Sequence, residues 1–141
     1  MIPLLESIYG AKGLYQQLLG PLCRKYGLTD TEVIILLYLA DKNPADTATE
    51  IIKAQRLKKA VVSVSIDDLE KRGLISSVYA KEDRRIKRLM VNEKALTIIK
   101  EARKIQDEYV ALLTEGLERE EVTELNKYLK KVNNNISRYS I

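Results

Sequence analysis

The chain contains no histidine and only one cysteine in 141 residues. A single Cys excludes an intrachain disulfide. Without His beside it, the soft ligands of a zinc or iron site are missing, so no metal or other cofactor is expected. No apolar run reaches transmembrane length, and the opening MIPLLESIYG lacks the basic leader and long apolar core of a signal peptide. The expected setting is the cytoplasm, with no membrane contact. There is also no G-x-S-x-G nucleophile motif and no Gly-rich phosphate loop. The carboxylates are scattered along helix faces, where ion pairing is their ordinary role, so the chain is not expected to be an enzyme.

What is present is a 45% hydrophobic, 31% charged sequence, the balance of a soluble globular domain and not of a disordered chain. Its net charge of +4 is unevenly placed. Residues 45–92 hold eleven Lys or Arg against seven Asp or Glu, and the remainder holds thirteen of each. All of the excess therefore lies in one stretch, where phosphate neutralisation could use it.

That stretch reads as two short helices followed by a hairpin. Thr47 and Glu50 have capping-box spacing and open a helix at Ala48. A second helical pattern starts at about Lys58, with Val62, Ile66 and Leu69 on one face and Gly73 as a left-handed stop. Ile75, Val78 and Tyr79 on one side and Leu89 and Val91 on the other then flank the tip KEDRRIKR. That tip carries Lys81, Arg84, Arg85, Lys87 and Arg88 against Glu82 and Asp83. A helix-turn-helix followed by a basic hairpin is a plan for gripping duplex DNA. Lys53, Arg56, Lys58 and Lys59 add a cluster without an intervening acid at the turn between the helices, suited to phosphate.

The flanks are helical. Pro3 to about Lys25 carries Leu4, Ile8, Ala11, Tyr15, Leu18, Leu19 and Leu22 at helical spacing, with Pro21 expected to end or bend it near Gly20. Thr29 and Glu32 form a second capping box, opening an almost wholly apolar helix through Ala40 that suits the buried centre. Asp41-Lys42-Asn43-Pro44 breaks it. Asn92 is placed to cap a long helix from Ala95 to Leu113, Gly116 interrupts, and a last helix follows from about Glu118. Asn133-Asn134-Asn135 is expected to mark fraying. The first and last two helices carry wide apolar stripes outside the reading unit, which a homodimer would cover.

These segments resemble the MarR family of winged helix-turn-helix transcriptional regulators. Gly27-Leu28-Thr29-Asp30-Thr31-Glu32 is similar to the family's G-L-T-x-x-E, and Leu69-Glu70-Lys71-Arg72-Gly73-Leu74-Ile75 to its L-E-x-x-G-L-I. Asp83-Arg84-Arg85 fits its D-x-R wing motif, and Leu89 to Ala95 is a worn version of L-x-L-T-x-K-G. The resemblance implies a mainly α fold: a winged helix-turn-helix with a two-stranded β-wing over residues 30–92, and N- and C-terminal dimerisation helices over 1–29 and 93–141. It implies a homodimeric repressor of a pseudo-palindromic duplex site, modulated by a small aromatic effector that some of the tyrosines could line. Lys58, Lys59, Ala60, Val61, Ser63 and Val64 would face the major groove. Asp83, Arg84, Arg85 and Lys87 would form the wing contact, with Arg85 in the minor groove and Asp83 orienting it.

Two departures stand out. Where the family commonly has Ser-Thr-Val-Ser-Arg, this chain has Ala60-Val61-Val62-Ser63-Val64, and Asp67 and Asp68 add negative charge a turn later. An alternative function follows from them: a winged-helix protein-interaction module without sequence-specific DNA binding. Cys23 lies at the end of the first helix, whereas the oxidant-sensing cysteines of some family members sit near its start. A small packed hydrophobe is its simpler role.

Overall fold

A computed structural model describes residues 2–41 and 47–140; the expected break at 42–44 lies outside them. The elements in order are α1 (Pro3–Tyr26), α2 (Asp30–Ala40), α3 (Ala48–Gln55), α4 (Lys59–Lys71), β1 (Ile75–Tyr79), β2 (Lys87–Val91), α5 (Leu96–Leu113) and α6 (Arg119–Tyr139). The chain forms two compact units, one ending at Tyr109 and the other beginning at Val110. Among the described residues no helix is long and apolar enough to cross a membrane.

In the first unit α2 is the hub. Thr29 Oγ1 accepts from the Glu32 N–H at 3.1 Å while Glu32 Oε1 accepts from the Thr29 N–H at 2.9 Å, so two helix-end donors are satisfied reciprocally. Val33, Ile35, Leu36, Leu37 and Leu39 are buried around its circumference. Leu19 and Leu22 of α1, Ile51 of α3, Val62, Ile66 and Leu69 of α4, Leu89 of β2 and Ile98, Ile99 and Ala102 of α5 share the same core. The sheet is a single antiparallel pair with Ile75 opposite Val91 and Tyr79 opposite Lys87. Lys87 and Arg88 are therefore strand residues, and the tip is shorter than KEDRRIKR.

Three local expectations are corrected. Pro21 neither ends nor interrupts α1, which runs on to Tyr26. Pro21 leaves the Gln17 carbonyl without its usual donor, but Gly20 before it has no Cβ to clash, and buried Leu19 and Leu22 hold the helix down on both sides. Asn133 to Asn135 lie inside α6, which continues to Tyr139. Their modest propensity cost is spread along a helix of 21 residues. Asn92 precedes a short 3₁₀ turn, Glu93–Ala95, and makes no side-chain cap there.

Asn92 acts instead as a brace. Its Oδ1 accepts from Ser76 Oγ at 2.7 Å, its Nδ2 donates to the Gly73 carbonyl at 3.0 Å, and its backbone N–H donates to the Leu74 carbonyl at 3.0 Å. Gly73, with φ of 72°, is the left-handed residue that turns the chain from α4 into β1. One side chain thus closes the wing's exit onto its start. Asn92→Ala should lower the unfolding free energy by about 1–3 kcal/mol, because it leaves two half-buried polar groups unpaired. Urea denaturation measures this, and an unchanged midpoint would contradict the brace.

Candidate nucleic-acid interface

The helix expected from the sequence to face DNA is α4. Lys58 is its N-cap, and no acid occupies its first turn. Val62, Ser65, Ile66 and Leu69 turn into the core, with the Ser65 hydroxyl satisfied by the Val61 carbonyl at 2.7 Å. The opposite face is open: Lys58, Lys59, Ala60, Val61, Ser63 and Val64 are all exposed, Val64 at 70% and Val61 at 43%. The N-cap Lys58 and the five α4 residues singled out in the sequence therefore lie on the solvent side. Lys53 is also exposed, and Arg56 closes α3 in the left-handed conformation at φ 51°.

The other end of α4 is held from three directions. The Arg72 guanidinium donates to the Gly27 carbonyl at 2.8 Å and to the Tyr26 carbonyl, clasping the last turn of α1. Lys94 Nζ donates to the Arg72 carbonyl at 2.8 Å, and Asn92 takes the Gly73 carbonyl. Arg72 and Lys94 were not singled out by sequence for this role, and Asn92 only as a helix cap. The signal for Arg72 was its place between Glu70 and Gly73, where a long donor can reach the α1 corner.

On the wing, Ala80 donates its N–H to the Ile86 carbonyl at 2.8 Å, closing the hairpin, and Ile86 donates back to the Asp83 carbonyl at 3.1 Å. Asp83 and Arg85 form a fork: Arg85 Nε reaches Oδ1 at 3.2 Å, a terminal nitrogen reaches Oδ2 at 3.1 Å, and the Arg85 N–H reaches Oδ1 at 3.0 Å. The Arg85 side chain is nonetheless 91% exposed, against 32% for Asp83. Its orientation is fixed while its outer edge faces solvent. Lys87 pairs with Glu70 of α4 at 3.2 Å, and Arg88 with Glu82 at 3.1 Å. Among the described residues Lys81 and Arg84 make no ion pair. Between the start of α3 and the tip end of the wing is a cleft of about 520 Å³, lined by Thr47, Thr49, Glu50, Arg85, Lys87 and Arg88.

The charges around this surface shift accordingly. Side-chain and then backbone hydrogen bonds from Arg85 hold the Asp83 carboxyl below its ordinary range. Glu82 is lowered by its own backbone N–H and by Arg88. Away from the wing, burial pushes the Cys23 thiol up, Asp30 adds to this, and Arg24 only partly offsets it. Cys23 packs against the core, as the simpler reading expects, and its thiolate is disfavoured. Of the tyrosines, Tyr38 is buried. Tyr15 and Tyr109 pack at 4.9 Å between ring centroids, with Tyr109 donating to the Ala11 carbonyl at 2.7 Å.

Removing Arg85 should release Asp83. In Arg85→Ala the Asp83 carboxyl should titrate closer to its ordinary 3.8. In the wild type the contact persists at neutral pH and is lost only as pH falls through the depressed value. Carbon-13 shifts of the carboxyl follow both titrations, and identical curves would contradict the fork.

Comparison with known proteins agrees with this geometry. Residues 26–86 match the model of the MarR family. A crystal structure described as a MarR family transcriptional regulator from Listeria monocytogenes, complexed with 26mer DNA, superposes with a TM-score of 0.89 at 22% identity, covering 98% of this chain and 91% of that one. The transcriptional regulator SlyA superposes at 0.87 with 19% identity, covering 97% and 96%. The reduced form of MarR from E. coli does so at 0.74 with 20% identity, covering 94% and 97%. Residues 26–86 thus match the MarR family model, in a chain with the fold of the MarR and SlyA structures.

Proposed function

We propose that the chain is a DNA-binding transcriptional repressor that grips a pseudo-palindromic duplex site as a homodimer, without catalytic activity or a cofactor. The observation that carries this reading is the Asp83–Arg85 fork, an oriented and solvent-open guanidinium beside an α4 face bare of core contacts. The DNA in the complex of the Listeria monocytogenes protein, whose fold this chain shares, supports it. In the proposal Lys58, Lys59, Ala60, Val61, Ser63 and Val64 line the major groove, the two valines packing on thymine methyls. Arg85 enters the minor groove, Arg84 meets phosphate, and Lys87 steadies the wing against α4 through Glu70.

Residues 30–92 would be the reading region, and 1–29 with 93–141 the dimerisation region. Exposed apolar side chains support that division. Ile2 just before α1, and Leu4, Leu5, Ile8 and Tyr9 on it, lie open. In the second unit Leu125, Tyr128, Leu129 and Ile136 lie open on α6. A small aromatic effector would act by favouring a dimer whose reading regions are wrongly spaced, in the cytoplasm where its target lies. The alternative, a protein-interaction module, draws support from the Arg-free α4 face with exposed Val61, Val64 and Asp67.

Two measurements test the proposal. Titration on one duplex at two salt concentrations should show affinity falling steeply with salt, with Arg85→Ala costing about 1–3 kcal/mol and Val64→Ala less. Salt-independent retention, or a larger loss for Val64→Ala, would overturn the reading or its division between wing and helix. Sedimentation at micromolar concentration should give twice the 16.1 kDa chain mass. A stable folded monomer would contradict the dimer.

A further inference from the structure

The cations of the wing differ in how they are neutralised. Arg85, Lys87 and Arg88 each have a carboxylate within 3.2 Å, from Asp83, Glu70 and Glu82. Lys81 and Arg84 are exposed and make no ion pair among the described residues. With Tyr79 and Ala80 they line a second concavity of about 340 Å³, distinct from the cleft that Arg85 lines. Tyr79 is 66% exposed, and its hydroxyl has no partner among the described residues. Ala80 is buried and its N–H is held by the Ile86 carbonyl at 2.8 Å, so the floor of the concavity is fixed by the hairpin. A phenol and two unpaired cations thus open onto one space that no acid lines.

We propose that Tyr79, Lys81 and Arg84 form a seat for a backbone phosphate of duplex DNA, and that this seat, not Arg85, makes the wing's grip depend on salt. The inference rests on the DNA reading above. The minor groove is only about 6 Å wide and is walled by phosphates. With Arg85 in that groove, its chain neighbour Arg84 opens into the other concavity and meets one of the walls. The volume is about ten times the ~30 Å³ share of one water, room for a phosphate and part of its sugar.

The salt argument follows from the pairing. Binding releases counterions according to the net charge brought to the phosphates. Arg85 arrives with the Asp83 carboxylate attached at 3.1 Å, so the pair brings no net charge. Lys87 with Glu70 and Arg88 with Glu82 are neutral for the same reason. Lys81 and Arg84 each bring one full charge. Arg85 therefore contributes through its fixed hydrogen-bonding edge, and the seat through counterion release.

Duplex affinity of the full chain is measured from about 50 to 200 mM salt. Lys81→Ala and Arg84→Ala should each lower the slope of log affinity against log salt by about one, so that each loss shrinks between threefold and fourfold across the range. Tyr79→Phe should weaken binding several-fold at every salt concentration with the slope unchanged. Arg85→Ala should weaken it with a slope change of less than about half of one. Inorganic phosphate at equal ionic strength should compete no better than chloride. Unchanged slopes in Lys81→Ala and Arg84→Ala, unchanged affinity in Tyr79→Phe, or a full unit of slope lost in Arg85→Ala would each overturn the seat while leaving the DNA reading intact. Stronger competition by phosphate that disappears in Arg84→Ala would assign the seat to a free anion and overturn it as a duplex contact. Absence of salt-dependent duplex binding by the wild type would instead overturn the DNA reading itself, and the seat with it.

Discussion

The surface proposed to read DNA depends on how the far end of α4 is anchored. A helix that presents one face to solvent must be held by its other face and by its ends, and the end after Lys71 carries the last unsatisfied carbonyls. Arg72, Asn92 and Lys94 satisfy or use that end together. Arg72 clasps the Tyr26 and Gly27 carbonyls of α1, while Asn92 and Lys94 take the carbonyls of Gly73 and Arg72. These bonds join the corner before α2, the end of α4 and the exit of the wing. Hydrogen bonds to a charged group contribute about 1.5–3 kcal/mol each where partly buried. Their larger effect is geometric: the open faces of α4 and of the wing keep a fixed relation.

The wing divides its cations by partner. Arg85 is oriented by Asp83, Lys87 is tied to Glu70, and Arg88 to Glu82, leaving Lys81 and Arg84 without ion pairs among the described residues. Exposed pairs of this kind contribute about 0–1 kcal/mol, so a phosphate can displace either carboxylate at little cost. The pairs therefore set pose, and the unpaired cations supply charge.

Much of this was legible in the sequence, because caps and periodicity are local. Thr29 with Glu32, Thr47 with Glu50, the Val62-Ile66-Leu69 stripe and Gly73 all appear where their chemistry predicts. So does the outward face from Lys59 to Val64, with Val62 turned in. What was not legible depends on distant partners. Pro21 stays helical because Leu19 and Leu22 are buried by other elements. Asn92 has the composition of a cap, but its partners lie 16 and 19 residues away.

The claim that joins these parts is that an anchored α4 and an oriented Arg85 read duplex DNA as a symmetric pair. Selection of bound duplexes from a random pool by the purified protein tests it most directly. Enrichment of a pseudo-palindrome with half-sites roughly 34 Å apart and A·T-rich, narrow-groove flanks is the expected result. A pool that stays random after repeated rounds, or one that enriches single asymmetric sites, would contradict it.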